Sequence, residues 1–225
     1  MGGDAGPTAL VVYDLDGVVT RKDTFTALVV LRLRTSPARF LRALPGIVAM
    51  VLGRGPETRK RAVHRITEVA LSGLSEDDYS ALARTVGARL GGDASWIRRE
   101  IVERMRRQHA ANTRIVVATA TEQRLAESLL LQAQAPYDTI SASQLAATPT
   151  GLRVADHRIG ARKVEALREN AVPVAEAEFV TDSVTDLPTA KRAARVTLVG
   201  ATRRTLERYL SEGLAVRVHS TGLVD

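Results

Sequence analysis

Short apolar runs alternate with amphipathic segments along much of this chain. Four runs of mostly apolar, partly β-branched residues predict buried strands at 8–13, 113–118, 177–181 and 195–199. Leucines and valines at helical spacing predict helices at 122–134, with Thr121 as the N-cap, and at 162–170. This alternation indicates a doubly wound α/β fold with a parallel sheet, in which ligands bind at the carboxyl ends of the strands.

The stretch 26–110 does not alternate in this way. It consists of helical segments separated by turn signals at 36–37, 44–46, 53–56 and 91–92, and residues 75–78 are typical of a capped helix start. We therefore expect a helical domain, residues 26–110, inserted into an α/β core formed by residues 1–25 and 111–225. A lid above the strand ends is the expected geometry.

Charge is distributed unevenly. The formal net charge is +7, and residues 26–110 contain 16 Lys and Arg against 8 Asp and Glu, so the whole basic excess lies there. A positive field attracts phosphorylated ligands, anionic lipid headgroups or nucleic acid. Solvated helix faces in an arginine-rich chain explain the same excess equally well.

Several classes of protein are excluded or disfavoured. The chain has no cysteine, which excludes disulfides and zinc–thiolate sites. Its first residues do not form a secretory signal, and the apolar stretch 43–52 is too short to cross a bilayer, so we expect a cytoplasmic protein. Aromatic residues make up 4% of the sequence, and no stacking platform for nucleic acid is evident.

The first predicted strand ends in two acidic residues, Asp14 and Asp16, followed by Gly17. Alternation in extended chain puts both carboxylates on one side, where burial is costly unless a cation neutralises them. Gly17 permits a sharp turn close to a ligand. An ordinary Asp-Gly turn is the alternative interpretation of this motif.

The second strand leads through Thr119 and Ala120 into a predicted helix. A hydroxyl and free backbone N–H groups at a helix N-terminus form an anion site. Thr121 is interpreted as a plain N-cap, and Thr119 is the better phosphate ligand.

The third run ends at Asp182-Ser183, with Asp186 four residues after Asp182. Carboxylates at the ends of two strands suggest a hard divalent cation with oxygen ligands, and magnesium is the sensible choice. Lys163, one of only four lysines, could neutralise a carboxylate and a phosphate oxygen. Taken alone, it is better interpreted as a surface residue than as a catalytic one.

In combination, these motifs resemble the haloacid dehalogenase superfamily. Their order and spacing, from Ala9 to Asp186, match its core, a Rossmann-like sheet. The segments 14–25 and 137–140, the turn at Gly151 and Lys163 resemble the phosphoserine-phosphatase-like branch, which has an inserted helical cap of the C1 type. Val18 departs from the family, which most often has Thr there, and puts only a local loop hydrogen bond in doubt.

The resemblance implies a phosphatase. Asp14 would attack phosphorus and become an aspartyl-phosphate, and Asp16 would act as general acid and then general base. Thr119, Ala120 and Lys163 would hold the phosphate.

The resemblance also implies Mg²⁺ as cofactor. Asp14, the backbone carbonyl of Asp16, and Asp182 would bind the metal, with Asp186 supporting it through water or a second-shell hydrogen bond. Carbon–halogen cleavage is not expected, because it needs neither the metal nor an acid–base aspartate.

The substrate is less well defined by the sequence. A small phosphorylated metabolite is the first expectation, with Asp23 and Ser183 as candidate substrate or loop residues; Asp23 could instead cap the first lid helix. A lipid phosphatase of the phosphatidylglycerophosphate type is an alternative, because the basic lid could contact a membrane surface. A non-catalytic protein that binds anions or nucleic acid is the alternative from another class, and the intact motifs argue against it.

Overall fold

A single seven-stranded sheet organises the protein. The structure is a computed structural model that describes residues 9–219. The strands are β1 (Leu10–Tyr13), β2 (Arg114–Glu122), β3 (Thr139–Thr148), β4 (Gly151–Asp156), β5 (Glu178–Thr181), β6 (Arg195–Leu198) and β7 (Val216–Val218). Their order is β4-β3-β2-β1-β5-β6-β7, and every neighbouring pair is parallel except β3 and β4. The predicted doubly wound α/β core is confirmed.

Both faces of the sheet are buried. In β1, Val11 and Tyr13 pack into one apolar cluster, whereas Leu10 and Val12 pack into another on the opposite face. Side chains of a strand alternate between faces, so a strand that is apolar at every position must be covered on both sides. The helices that cover the two faces lie in the connections between the strands.

Nine α-helices lie in the described part of the chain. They are α1 (Thr24–Arg34), α2 (Pro37–Leu52), α3 (Pro56–Leu71), α4 (Glu76–Gly92), α5 (Arg99–Ala110), α6 (Gln123–Gln132), α7 (Ala161–Glu169), α8 (Leu187–Ala190) and α9 (Arg203–Ser211). Helices α4, α5 and α6 contribute to the cluster around Tyr13, and α7, α8 and α9 contribute to the one around Val12.

The inserted segment has two parts. Helices α1, α2 and α3 bury a small apolar cluster of their own, which includes Val29, Ala43 and Ile66. Helix α5 instead lies against the sheet, where the Tyr13 hydroxyl donates a hydrogen bond to Gln108 Oε1 (2.6 Å). The domain boundary at residue 110 therefore stays a prediction, since the end of the inserted segment packs as part of the core.

Several local predictions need correction. Helix α2 continues without interruption across residues 44–46, where a break was predicted. Pro45 is exposed, and Gly46 packs against Ile66 of α3. Strands β3, β4 and β7 were not predicted. Thr8, the predicted start of the first strand, lies outside the described residues, as do 1–7 and 220–225. No helix within residues 9–219 has the length and apolar character needed to cross a membrane.

Candidate active site

The predicted acidic residues meet at the carboxyl ends of β1 and β5. These strands are neighbours, and the Asp14 N–H continues their ladder by donating to the Val180 carbonyl (2.9 Å). A cavity of about 270 Å³ opens there. Its walls include most of the predicted site residues: Asp14, Asp16, Asp23, Ala120, Lys163, Asp182, Ser183 and Asp186.

Asp14 is held on one side by two donors. Its Oδ1 accepts a hydrogen bond from the Leu15 N–H (2.8 Å) and lies 3.2 Å from Lys163 Nζ. The same ammonium lies 2.7 Å from Asp186 Oδ1, and Asp186 Oδ2 accepts a hydrogen bond from the Thr181 hydroxyl (2.7 Å). Lys163 therefore sits between two buried carboxylates, which explains a lysine that is only 2% exposed.

The Asp16 side chain is fixed by three short hydrogen bonds. Its Oδ1 accepts from the Thr24 N–H (2.8 Å) and the Thr24 hydroxyl (2.6 Å), and its Oδ2 accepts from the Thr121 hydroxyl (2.6 Å). The two threonines come from the start of α1 and the end of β2. The lid and the core together therefore set the orientation of this carboxyl.

Thr121 does not cap α6. The N-cap is Glu122, whose side chain accepts a hydrogen bond from the Leu125 N–H. β2 continues to Glu122, and the Thr121 hydroxyl is turned towards Asp16. The predicted N-cap was wrong by one residue, and that shift gives Thr121 a place in the site.

Gly17 allows the loop after β1 to approach β5. Its φ is +78°, which favours glycine, and a Cβ at this position would overlap the Asp182 carboxylate. The Gly17 carbonyl accepts a hydrogen bond from Arg98 Nε (3.2 Å), and Arg98 is 7% exposed. A buried guanidinium from the residue before α5 thus secures the loop that carries Asp16.

Negative charge is in excess in the cavity. Burial raises the pKa of Asp14 well above its usual value; Lys163 opposes this effect, and Asp186 and Asp182 add to it. Burial and the nearby Asp186 raise the pKa of Asp182 to about 7. For Lys163, burial alone would lower the pKa, but Asp14 and Asp186 raise it above its usual value, so the lysine is charged. Lys163 is thus the buried cation that faces three carboxyl groups, while the exposed Arg21 and Lys22 also line the cavity.

Asp16 is influenced by its own neighbours. Burial and Asp23 raise its pKa, while the hydrogen bonds from Thr121 and Thr24 oppose that shift. The net raised pKa favours a carboxyl group that holds a proton more readily than a free aspartate, which suits a proton donor.

Thr119, Ala120, Asp23 and Ser183 are the remaining predicted site residues. The Thr119 hydroxyl is fully buried and accepts a hydrogen bond from the Thr121 N–H (3.0 Å), while Ala120 is on the cavity wall. Asp23 caps α1 by accepting from the Thr26 N–H (2.6 Å). The Ser183 hydroxyl accepts from the Thr185 N–H (3.2 Å). The assignment of Thr119 as a phosphate ligand stays a prediction.

The donor set around the cavity suits a hard cation. In residues 9–219, no three or more acidic or histidine side chains form a ready-made metal site. Asp14 and Asp182 nevertheless bring two oxygen donors with raised pKa values to one cavity. Magnesium binds through one or two carboxylates and keeps several waters, so this arrangement fits magnesium better than a metal that needs a complete protein cage.

Comparison with known proteins places the chain in a family. The family model of haloacid dehalogenase-like hydrolases matches residues 11–191, which is most of the sequence. The chain belongs to this family. The match spans every residue described above as part of the acidic cavity, and the predicted resemblance is confirmed. A search of curated proteins finds no match.

Solved structures show the same fold. A phosphoserine phosphohydrolase-like protein from Francisella tularensis aligns with a TM-score of 0.61 at 12% identity, covering 95% of each chain. A phosphoserine phosphatase solved as a phospho-aspartyl intermediate analogue aligns at 0.56 and 10% identity, covering 94% of this chain and 93% of that one. CbbY from Rhodobacter sphaeroides, in complex with phosphate, aligns at 0.57 and 18% identity, covering 97% and 98%. At these identities the likeness concerns the fold.

Proposed function

We propose that this hydrolase is a phosphatase that removes the phosphoryl group from a small phosphomonoester through an aspartyl-phosphate on Asp14. The observation that carries the proposal is the pairing of two differently held carboxyls in one cavity. Asp14 is bound at Oδ1 by the Leu15 N–H and Lys163, while Asp16 is oriented by Thr24 and Thr121. A nucleophile and a proton donor need such separate environments.

In the first step, Asp14 attacks phosphorus through Oδ2, the oxygen not engaged by Leu15 or Lys163. The bond between phosphorus and the ester oxygen breaks, and Asp16 gives its proton to the departing oxygen. The products are the alcohol and a phosphorylated Asp14. Lys163 remains charged throughout and stabilises negative charge on the transferring group.

In the second step, Asp16 acts as a base. It removes a proton from water, which attacks the phosphorus of the acyl phosphate. The bond between phosphorus and Asp14 breaks, inorganic phosphate leaves, and both carboxyl groups return to their starting states. The threonines that hold Asp16 keep it within reach of the same oxygen position in both steps.

The residues that would hold a magnesium ion are Asp14, Asp182 and the backbone carbonyl of Asp16. Bound there, the ion would neutralise part of the charge on these groups and on the phosphoryl group. Asp186 is directed at Lys163 instead, so we propose that it positions the lysine. Its predicted indirect contact with a metal stays a prediction.

A second cavity, of about 1090 Å³, leads from Asp16 and Ala120 along helix α3. It is lined by apolar residues such as Val63 and Leu145, by the polar His157, and by basic side chains of α3. The space accommodates a substrate larger than a phosphorylated amino acid. We propose that the group attached to the phosphate lies here, between lid and core.

Phosphate release from a broad panel of phosphomonoesters tests the function. The panel should contain amino-acid phosphates, sugar phosphates, nucleotides and a lipid phosphate in micelles, each with magnesium and with excess chelator. The nucleophile control is Asp14→Asn; the matched control is Asp77→Asn, an exposed acid at the start of α4.

We expect release that needs magnesium, is lost in Asp14→Asn and is unchanged in Asp77→Asn. Persistent turnover in chelator would exclude the metal assignment. Near-normal turnover in Asp14→Asn would exclude the proposed nucleophile, and no release from any ester would favour the non-catalytic alternative.

A further inference from the structure

Exposed apolar side chains are concentrated on the lid helix α2. Leu41, Val48, Val51 and Leu52 are 63%, 51%, 67% and 74% exposed, and Phe40 is 45% exposed. Isolated exposed leucines are common on protein surfaces, but a contiguous group on one helix marks a site of interaction. The group lies on the lid, away from the acidic cavity.

Helical spacing aligns part of this group. Leu41, Pro45, Val48 and Leu52 recur at intervals of three or four residues, so they form one stripe along α2, and all four are exposed. The opposite side of the helix is already used, because Ala43 and Gly46 are buried and Gly46 packs against Ile66 of α3. The outer stripe has no partner within the described part of the chain.

The surroundings of the stripe are strongly basic. Between Asp23 and Glu57 the sequence has five arginines and no acidic residue. Arg39 and Arg42 of α2 line a cleft of about 900 Å³ beside the helix, together with Arg65 and Arg153. The one acidic residue of this cleft, Glu68, lies 3.2 Å from His64.

The exposed apolar stripe and the basic residues around it together indicate the kind of partner. A second copy of the chain docked through the same face would bring its arginines against those of the first copy, and like charges in contact oppose association. A bilayer with anionic lipids instead accepts apolar side chains at the acyl boundary and pairs arginines with headgroup phosphates. A helix that lies in the interface needs no spanning segment.

We propose that the outer face of α2, defined as Phe40, Leu41, Pro45, Val48, Val51 and Leu52, is a docking surface for anionic lipid membranes. The exposed Arg42, at the edge of this face, binds headgroup phosphates, and the apolar stripe enters the boundary between headgroups and chains. This surface is independent of the proposed catalytic cycle, because none of its residues lines the acidic cavity.

Co-sedimentation of the whole chain with vesicles tests this surface. The vesicles are phosphatidylcholine alone and phosphatidylcholine with phosphatidylglycerol, at low and at physiological salt. The stripe variant is Leu41→Gln/Val48→Gln/Leu52→Gln. Its matched control is Leu131→Gln/Leu210→Gln, which changes leucines that are 80% and 55% exposed on other helices.

We expect the unaltered chain to bind anionic vesicles at least about tenfold more tightly than neutral ones, and salt to weaken that binding. The stripe variant should lose about tenfold or more in affinity, whereas the control should be unaffected. An Arg42→Gln variant should weaken binding to anionic vesicles by about fivefold. Each variant should keep its far-UV circular dichroism spectrum.

Two results would overturn the proposal. One is absence of binding to anionic vesicles at low salt; the other is equal binding by the stripe variant and the unaltered chain. Size-exclusion chromatography of the same proteins identifies the competing occupant, since a dimer that dissociates in the stripe variant would assign the face to a second copy. Turnover of a soluble phosphomonoester, measured in parallel, keeps failure here separate from failure of the proposed phosphatase.

Discussion

The Thr121 hydroxyl is the most informative group to remove, because it acts on Asp16 from a distant part of the chain. Thr121→Val keeps the shape of the side chain and deletes one short hydrogen bond to Asp16 Oδ2 (2.6 Å). A hydrogen bond to a charged group contributes about 1.5 to 3 kcal/mol. If that contribution is made in the transition state, turnover falls by about tenfold to about hundredfold.

The variant also has a predicted effect on pH dependence. The Thr121 hydrogen bond lowers the pKa of Asp16, so its loss raises that pKa further. If Asp16 limits the rate as an acid, turnover falls as the pH rises through the pKa of Asp16. If it limits the rate as a base, turnover increases over the same pH range. In both cases the Asp16 limb of the pH profile moves to higher pH.

The assay is steady-state phosphate release as a function of pH, with Thr189→Val as the control. Thr189 is fully buried, and its hydroxyl has no hydrogen-bond partner among the residues that the structure describes. The control therefore makes the same chemical change in the core without touching Asp16. Unchanged turnover and an unshifted pH profile in Thr121→Val would refute the role assigned to this hydrogen bond.

Three further changes test other contacts. Gly17→Ala should abolish most activity and lower thermal stability, because its φ of +78° and the neighbouring carboxylate leave no room for a Cβ; a folded, active variant would contradict this. Lys163→Met should lower the free energy of urea unfolding by about 3 to 5 kcal/mol by leaving buried carboxylates unpaired, far more than Lys191→Met at an exposed ion pair. Equal losses would show that the buried charges are otherwise compensated. Arg104→Gln should cost about 1 to 3 kcal/mol at pH 7, because the pKa of Glu178 is held low by Thr197 and Arg104 against the effect of burial. That stability is present above the unfolded pKa of Glu178 and lost as pH falls through the lower folded one, so the two proteins should converge in acid; a constant difference would contradict the assignment.

The central strands and their acidic ends could be predicted because each signal is local. Asp14 directly follows an apolar run, as does Asp182, and adjacent parallel strands bring such ends together. Lys163 was predicted to belong to the same site because the sequence resembles a family motif. The structure shows its ammonium between Asp14 and Asp186.

The supporting residues could not be predicted in the same way. Thr121 and Asp16 are 105 residues apart, and only the fold shows that their side chains meet. Arg98 likewise reaches the Gly17 carbonyl from 81 residues away. In a chain with this many arginines, nothing in the sequence separates a buried one from the exposed majority.

The missed elements have physical explanations too. β3 contains Ser141, Ser143 and Gln144, so it lacks a continuous apolar run, and it is stabilised by pairing with β2 and β4. β7 has only three residues. Pro45 and Gly46 usually break a helix, but tertiary packing of Gly46 on α3 outweighs that preference in α2.

Chemical trapping of the phosphorylated enzyme tests the central claim most directly. The enzyme is mixed with a good substrate, quenched in acid and digested, and its peptides are analysed by mass spectrometry; Asp16→Asn, which should hydrolyse the intermediate slowly, is treated alongside. We predict one phosphoryl group on Asp14, transient in the unaltered enzyme and accumulating in Asp16→Asn. Phosphate release without any phosphorylated Asp14 peptide in either protein, or with the phosphoryl group on another residue, would contradict the account.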